Sequence, residues 1–129
     1  MATVDLTQET FEDTVVENDV VLIDFWAEWC GPCRAFAPTY EAMSEKHPDM
    51  IFGKVDTEAE RELAGSFQIR SIPTLMVFRE KVLVFSQPGA LPPNVLEQLI
   101  EDVRALDMED IHRQIAEAEE AEAASEEAV

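Results

Sequence analysis

Basic side chains are scarce in this sequence: 9 Lys and Arg stand against 28 Asp and Glu, for a formal net charge of −19. That balance excludes a nucleic-acid backbone or an anionic membrane surface as the main partner, since both repel the chain. No uninterrupted apolar run approaches the roughly 20 residues that cross a bilayer. Met1 to Asp5 carry no basic segment leading into an apolar stretch, so no secretory signal is expected and the cytoplasm is the expected compartment. Histidine occurs only at positions 47 and 112 and cysteine only at positions 30 and 33. The 129 residues suffice for one domain of ordinary size, and no internal repeat is visible.

What is present is unevenly spread. Residues 106–129 hold 9 acidic and 1 basic side chains, contain no aromatic residue and consist toward their end mainly of Ala, Glu and Ser. A compact domain over residues 1–106 with an acidic extension over 107–129 is therefore expected. Asp107 and Asp110 are placed to cap a helix running to about Glu120, with Ile111, Ile115 and Ala118 on one side and His112 facing solvent. Repulsion among Glu117, Glu119, Glu120 and Glu122 then favours fraying into a disordered end.

Within the body, apolar strands alternate with amphipathic segments. Val20 to Trp26 is apolar except for Asp24, as in a central strand buried on both faces. Arg34 to Lys46 reads as a helix bent at Pro38. Ile51 to Val55 reads as a short strand. Thr57 and Glu60 are spaced as a capping box for a helix from about Glu58 to Ser66. Thr74 to Phe78 and Val82 to Ser86 read as a strand pair joined by a turn at Arg79 to Lys81. Pro92 and Pro93 suit the first turn of a helix whose Val95, Leu96, Leu99, Ile100 and Val103 form one stripe. A further helix is expected from Thr7 to about Glu17. The order implies an α/β fold with a mixed sheet and helices packed on it.

The two cysteines fall between the buried strand and the Arg34 helix, so Cys30 lies at or just before a helix N-terminus. Unsatisfied N–H groups and the helix dipole favour thiolate there, and thiolate is the species that attacks a disulfide. Cys33, one turn on, is placed to attack the resulting mixed disulfide. A structural disulfide competes with this reading, but so short a loop contributes only about 2 kcal/mol in the chain-entropy model, and a reducing cytosol keeps it open. A zinc site needs two more ligands, and His47 and His112 lack the usual spacing, so no metal is expected. Asp24 stands out within its apolar strand: an unpaired buried carboxylate is costly, so burial should raise its pKa toward neutrality. A hydrogen-bonded structural aspartate is the alternative use of that residue.

The stretch from Asp24 to Arg34, with Trp29-Cys30-Gly31-Pro32-Cys33 at its centre, closely resembles the active-site segment of thioredoxins. Arg70 to Leu75, with Ile72-Pro73-Thr74, resembles the family's cis-proline segment, and the similarity covers about residues 4–106. The resemblance implies a thioredoxin fold and a protein thiol–disulfide reductase that serves redox homeostasis and electron transport. Cys30 matches the exposed nucleophile and Cys33 the more buried resolving thiol, the two cycling through a Cys30–Cys33 disulfide. Gly31 and Pro32 match the intervening pair of reducing members. Asp24 matches the family's proton-transfer aspartate, Lys54 the lysine beside it, and Pro73 the cis-proline facing the cysteines. Trp29, Gly31, Pro32, Ile72, Gly89 and Ala90 are expected to form the apolar surface that receives the substrate, with Trp26 packed beside it.

The resemblance also implies that no cofactor is bound, and that electrons come from NADPH through a flavin-containing thioredoxin reductase. The partners it implies are that reductase and proteins carrying disulfides; a monomer is expected because the net charge of −19 opposes close packing of copies. Departures from the family pattern are mild. Arg34 replaces a lysine, Pro88 precedes the Gly89-Ala90 pair, and Glu80-Lys81 stands where many members have an Asn-Gly turn, so a different turn type is expected there.

Overall fold

A computed structural model describes residues 2–127; Met1, Ala128 and Val129, at the ends of the two expected segments, lie outside the described residues. Five strands form one sheet: β1 (Thr3–Asp5), β2 (Val20–Trp26), β3 (Ile51–Asp56), β4 (Thr74–Arg79) and β5 (Val82–Pro88). Their spatial order is β1-β3-β2-β4-β5. The β1–β3 and β2–β3 pairs are parallel, and the β2–β4 and β4–β5 pairs antiparallel. The sheet is mixed, as the sequence order implied. Its central strand β2 carries the alternation of side chains that separates two cores. Val20 and Leu22 face one core with Phe36, Tyr40, Leu96 and Ile100; Val21, Ile23 and Phe25 face the other with Phe11, Val15 and Leu63.

The described residues also hold five helices: α1 (Phe11–Glu17), α2 (Gly31–Lys46), α3 (Arg61–Ser66), α4 (Pro93–Arg104) and α5 (Met108–Glu127). The first core packs α2 and α4 on one sheet face, and the second packs α1 and α3 on the other. Pro38 lies inside α2, and Pro93 opens α4. On α4 the expected stripe holds for Leu96, Ile100 and Val103, which are buried, whereas Val95 is exposed. At the C-terminal end of α2, His47 contacts Glu97 and Arg104 of α4, and Arg104 pairs with Asp49.

Four expectations are corrected. First, β1 was not anticipated; its three residues pair with β3, and Glu41 of α2 accepts from the Ala2 N–H and the Thr3 hydroxyl. Residues 8–10, expected as the first turn of that helix, form a turn ahead of α1, in which the Thr10 hydroxyl accepts from the Thr7 N–H. Second, Thr57 and Glu60 form no capping box and α3 starts at Arg61. The Thr57 hydroxyl donates to the Trp26 carbonyl instead, and Glu60 accepts from the Gln8 N–H.

Third, the hairpin turn is not of a different kind. Glu80 and Lys81 have φ of 49° and 70°, the left-handed values at both central positions that Asn-Gly turns adopt. The right-handed twist of β4 and β5 demands that geometry whatever residues occupy it. Lys81→Gly is accordingly expected to stabilise the protein by about 0.5–1 kcal/mol, since glycine has no steric penalty at positive φ. Urea unfolding at constant m-value measures it, and an unchanged or lowered midpoint refutes the strain.

Fourth, α5 runs continuously through Glu127, past the expected end near Glu120. Asp107 caps it by accepting from the Asp110 N–H, and Asp110 pairs with Arg113 and accepts from Gln114 within the first turns. His112 is not simply turned to solvent: its Nε2 lies 2.9 Å from Oε1 of Glu80 at the hairpin turn. The connector before α5 is held by Arg79, whose guanidinium donates to the carbonyls of Val103, Arg104 and Leu106. Met108 is buried. No helix among the described residues is long and apolar enough to cross a membrane.

Candidate active site

The cysteines lie where the central strand hands over to α2. After Trp26 the chain turns through Ala27 to Trp29, and Cys30 becomes the N-cap of α2 with extended backbone, followed at once by Gly31 and Pro32. Proline suits that first turn because its missing N–H is one of the helix's unpaired donors. The Cys33 N–H donates to the Cys30 sulfur at 3.2 Å. A donor aimed at this sulfur, together with the helix N-terminus, stabilises negative charge on it when the pair is reduced.

Cys30 and Cys33 are joined as a disulfide, with Cα atoms 5.2 Å apart. The expected contrast of one exposed and one buried thiol is not seen in this oxidised form: Cys30 is 4% exposed and Cys33 2%. The disulfide draws both sulfurs into one apolar cluster with Ala27, against which Trp26 and Ile72 pack. Opposite it lies the loop before β4, where the Ile72–Pro73 peptide bond is cis. The Cys30 sulfur is 3.8 Å from the Ile72 carbonyl oxygen, a contact in which a reduced Cys30 thiol becomes the donor. Gly89, at φ 105°, donates its N–H to the Pro73 carbonyl at 2.8 Å, which ties the Gly89-Ala90 loop to the same spot. Gly31, Pro32, Gly89 and Ala90 are all exposed at the surface.

Asp24 lies on the face of β2 that packs on α2, sharing it with Leu22. It is 1% exposed, and neither carboxylate oxygen has a hydrogen-bond partner among the described residues. Desolvation raises its pKa from 3.8 to about 7, against an opposing pull from Lys54. Lys54 is directly across from Asp24 in the β2–β3 register, yet its ammonium sits 4.7 Å over the Trp26 ring and makes no ion pair with the carboxylate.

Trp29 is the most exposed large hydrophobic residue at this end of the molecule, at 67%. Its indole N–H donates to Glu58 at 2.8 Å. Glu58, expected only as the start of a helix, lies against Trp29 instead; the one local signal for it is an acidic residue shortly after a strand end. Among the described residues, no group of three or more His, Cys, Asp or Glu side chains is gathered to hold a metal. The arrangement is a dithiol–disulfide couple at a helix N-terminus, reached from a central strand that carries a buried carboxyl with its pKa raised to about 7. Chemically, such a site can pass a pair of electrons to another disulfide.

Comparison with known proteins agrees with that chemistry. The family model described as Thioredoxin matches residues 2–102. A protein of Streptomyces coelicolor named Putative thioredoxin 2 is 58% identical over 116 residues, 90% of this chain and 87% of that protein. The thioredoxin of Bacillus subtilis is 38% identical over 101 residues, 78% of this chain and 96% of its own. Among solved structures, a mutant thioredoxin from Halobacterium salinarum aligns with a TM-score of 0.75 at 33% identity, over 81% of this chain and 92% of that one. Plasmodium falciparum thioredoxin aligns with a TM-score of 0.72 at 38% identity, over 78% and 98% respectively.

Proposed function

This chain belongs to the thioredoxin family and is a thiol–disulfide oxidoreductase of the protein-disulfide reductase type, and from that premise we propose how its residues divide the work. Cys30, as thiolate, attacks one sulfur of a substrate protein's disulfide, forming a mixed disulfide and expelling the other substrate sulfur as thiolate. Cys33 then attacks the Cys30 sulfur, releasing the second substrate thiolate and closing Cys30–Cys33. The substrate gains two electrons and, in all, two protons. Asp24 takes up the Cys33 proton as that thiol becomes the attacking thiolate, and Lys54 restrains the rise of the Asp24 pKa. Pro73 and Ile72 offer backbone to the substrate chain, and Trp29, Gly31, Pro32, Gly89 and Ala90 form the surface it lies on. The single observation that carries this reading is the Cys30 sulfur at the N-cap of α2, accepting from the Cys33 N–H.

The electrons that restore the dithiol come from NADPH through a thioredoxin reductase, so the chain acts in electron transport and redox homeostasis and binds no cofactor itself. It works in the cytoplasm as a monomer, a net charge of −19 opposing close association of copies. Residues 1–106 serve as the thioredoxin domain and 107–129 as its acidic extension. The family match ending at residue 102 and the change in composition after it support that division.

Titrating the Cys30–Cys33 couple against a dithiol buffer tests the direction of electron flow. The expected potential is near the roughly −270 mV of thioredoxins, a value of the family rather than a reading of this geometry. A potential about 60 mV or more toward the oxidising side sinks the reductase direction and favours a disulfide donor or isomerase.

A further inference from the structure

Trp29 has no core packing to hold it, and a large exposed aromatic side chain that must be ordered when a substrate docks costs binding free energy at that moment. The structure removes that freedom in advance. One Glu58 oxygen accepts from the Trp29 indole N–H at 2.8 Å, while the other pairs with Arg61 at 3.2 Å. The backbone beneath Glu58 is itself tied down. The Asp56 carboxylate accepts from the N–H groups of Glu58 and Ala59, at 2.9 and 3.3 Å. The Thr57 N–H and hydroxyl both donate to the Trp26 carbonyl, at 2.9 and 3.1 Å, three residues before Trp29. Residues 57–59 form a turn before α3, closed by the Glu60 N–H donating to the Asp56 carbonyl at 2.8 Å.

We propose that Glu58 is a positioning residue for protein substrates, fixing the Trp29 indole beside Cys30 as a preorganised part of the substrate surface. The proposal rests on the reading that Trp29 belongs to that surface. It assigns Glu58 a task that a small disulfide, which covers far less of the indole than a protein chain does, calls on much less. A plain surface ion pair with Arg61, whose side chain is 80% exposed against 50% for Glu58, has little energetic consequence and no substrate dependence.

The test uses the pre-reduced full-length chain, Glu58→Ala and Glu58→Gln, mixed in a stopped-flow instrument with insulin or with glutathione disulfide. Loss of one such hydrogen bond predicts a rate constant with insulin roughly two- to tenfold lower in Glu58→Ala, and one with glutathione disulfide unchanged within about twofold. Glu58→Gln keeps an acceptor oxygen and recovers most of the loss. In ¹⁵N–¹H spectra, the Trp29 indole signal, assigned with Trp29→Phe, shifts in Glu58→Ala and stays near its original position in Glu58→Gln. An equal loss with both disulfides, no loss with insulin, or an indole signal unmoved in Glu58→Ala each overturns the proposal. A wild-type chain that reduces neither disulfide sinks the reductase reading itself, an outcome distinct from any produced by the variants alone.

Discussion

Cys33→Ser stops turnover after the first exchange. Cys30 still opens a substrate disulfide, because its place at the α2 N-cap and the Cys33 backbone N–H are both retained in a serine variant. Serine supplies no thiolate for the second exchange, so substrate accumulates as a mixed disulfide on Cys30 and catalytic reduction of insulin falls to background. Non-reducing electrophoresis and mass spectrometry read the adduct as one substrate chain per molecule, released by dithiothreitol. Cys30→Ser, by contrast, gives no adduct and no turnover. If the Cys33→Ser variant keeps turning over, or if Cys30→Ser is the one that traps substrate, the assigned order of the two thiols is wrong.

Asp24→Asn raises stability and slows the reaction, and both effects depend on pH. In the unfolded chain an aspartate titrates near 3.8, whereas burial holds Asp24 at about 7 in the folded protein. Below 3.8 the group is protonated in both states and adds no pH-dependent cost. Between the two values only the folded state keeps the proton, so stability falls as pH rises, and above about 7 the full cost is in place. The separation corresponds to on the order of 4 kcal/mol. Asparagine removes the titration, so Asp24→Asn is expected to be more stable than wild type by roughly 2–4 kcal/mol at pH 8 and by little at pH 4. Chemical unfolding at the two pH values measures the difference.

The same substitution removes the proton acceptor from the resolving step. The insulin-reduction rate is expected to drop at least about tenfold, at the low end of general acid–base contributions. The inflection near neutral pH disappears from the profile with it. A variant whose stability gain is the same at pH 4 and pH 8, or whose rate keeps that inflection, shows that Asp24 is not the titrating group.

Several parts of the fold were legible because their signal is local and long enough to read. The apolar run from Val20 to Trp26 marked the central strand, and the spacing of Leu96, Ile100 and Val103 marked the buried stripe of α4. Other parts were not. Three residues of β1 are too few to show a period, and their place depends on β3, some 50 residues along the chain. Thr57 and Glu60 carry the spacing of a capping box, but Thr57 is captured by the Trp26 carbonyl and Glu60 by Gln8. At Glu80-Lys81 residue preference argued for an unusual turn, and the twist of the paired strands overrode it. α5 reaches past the expected end because the helix propensity of its alanines and glutamates outweighs the repulsion among its charges.

The candidate site divides along the same line. Cys30-Gly31-Pro32-Cys33 at a strand-to-helix junction, and an aspartate in an otherwise apolar strand, are statements about neighbours in the chain, so the sequence by itself determined the redox chemistry and the suspicion attached to Asp24. The tertiary structure alone decided what surrounds those groups. It left both Asp24 oxygens without hydrogen-bond partners among the described residues, set Lys54 over Trp26, brought the cis Ile72–Pro73 bond against the Cys30 sulfur and joined Glu58 to Trp29. The reason is physical: helix capping and strand periodicity act over a few residues and are written in local composition. Desolvation, cross-strand register and hydrogen bonds between distant loops exist only once the sheet has brought those segments together.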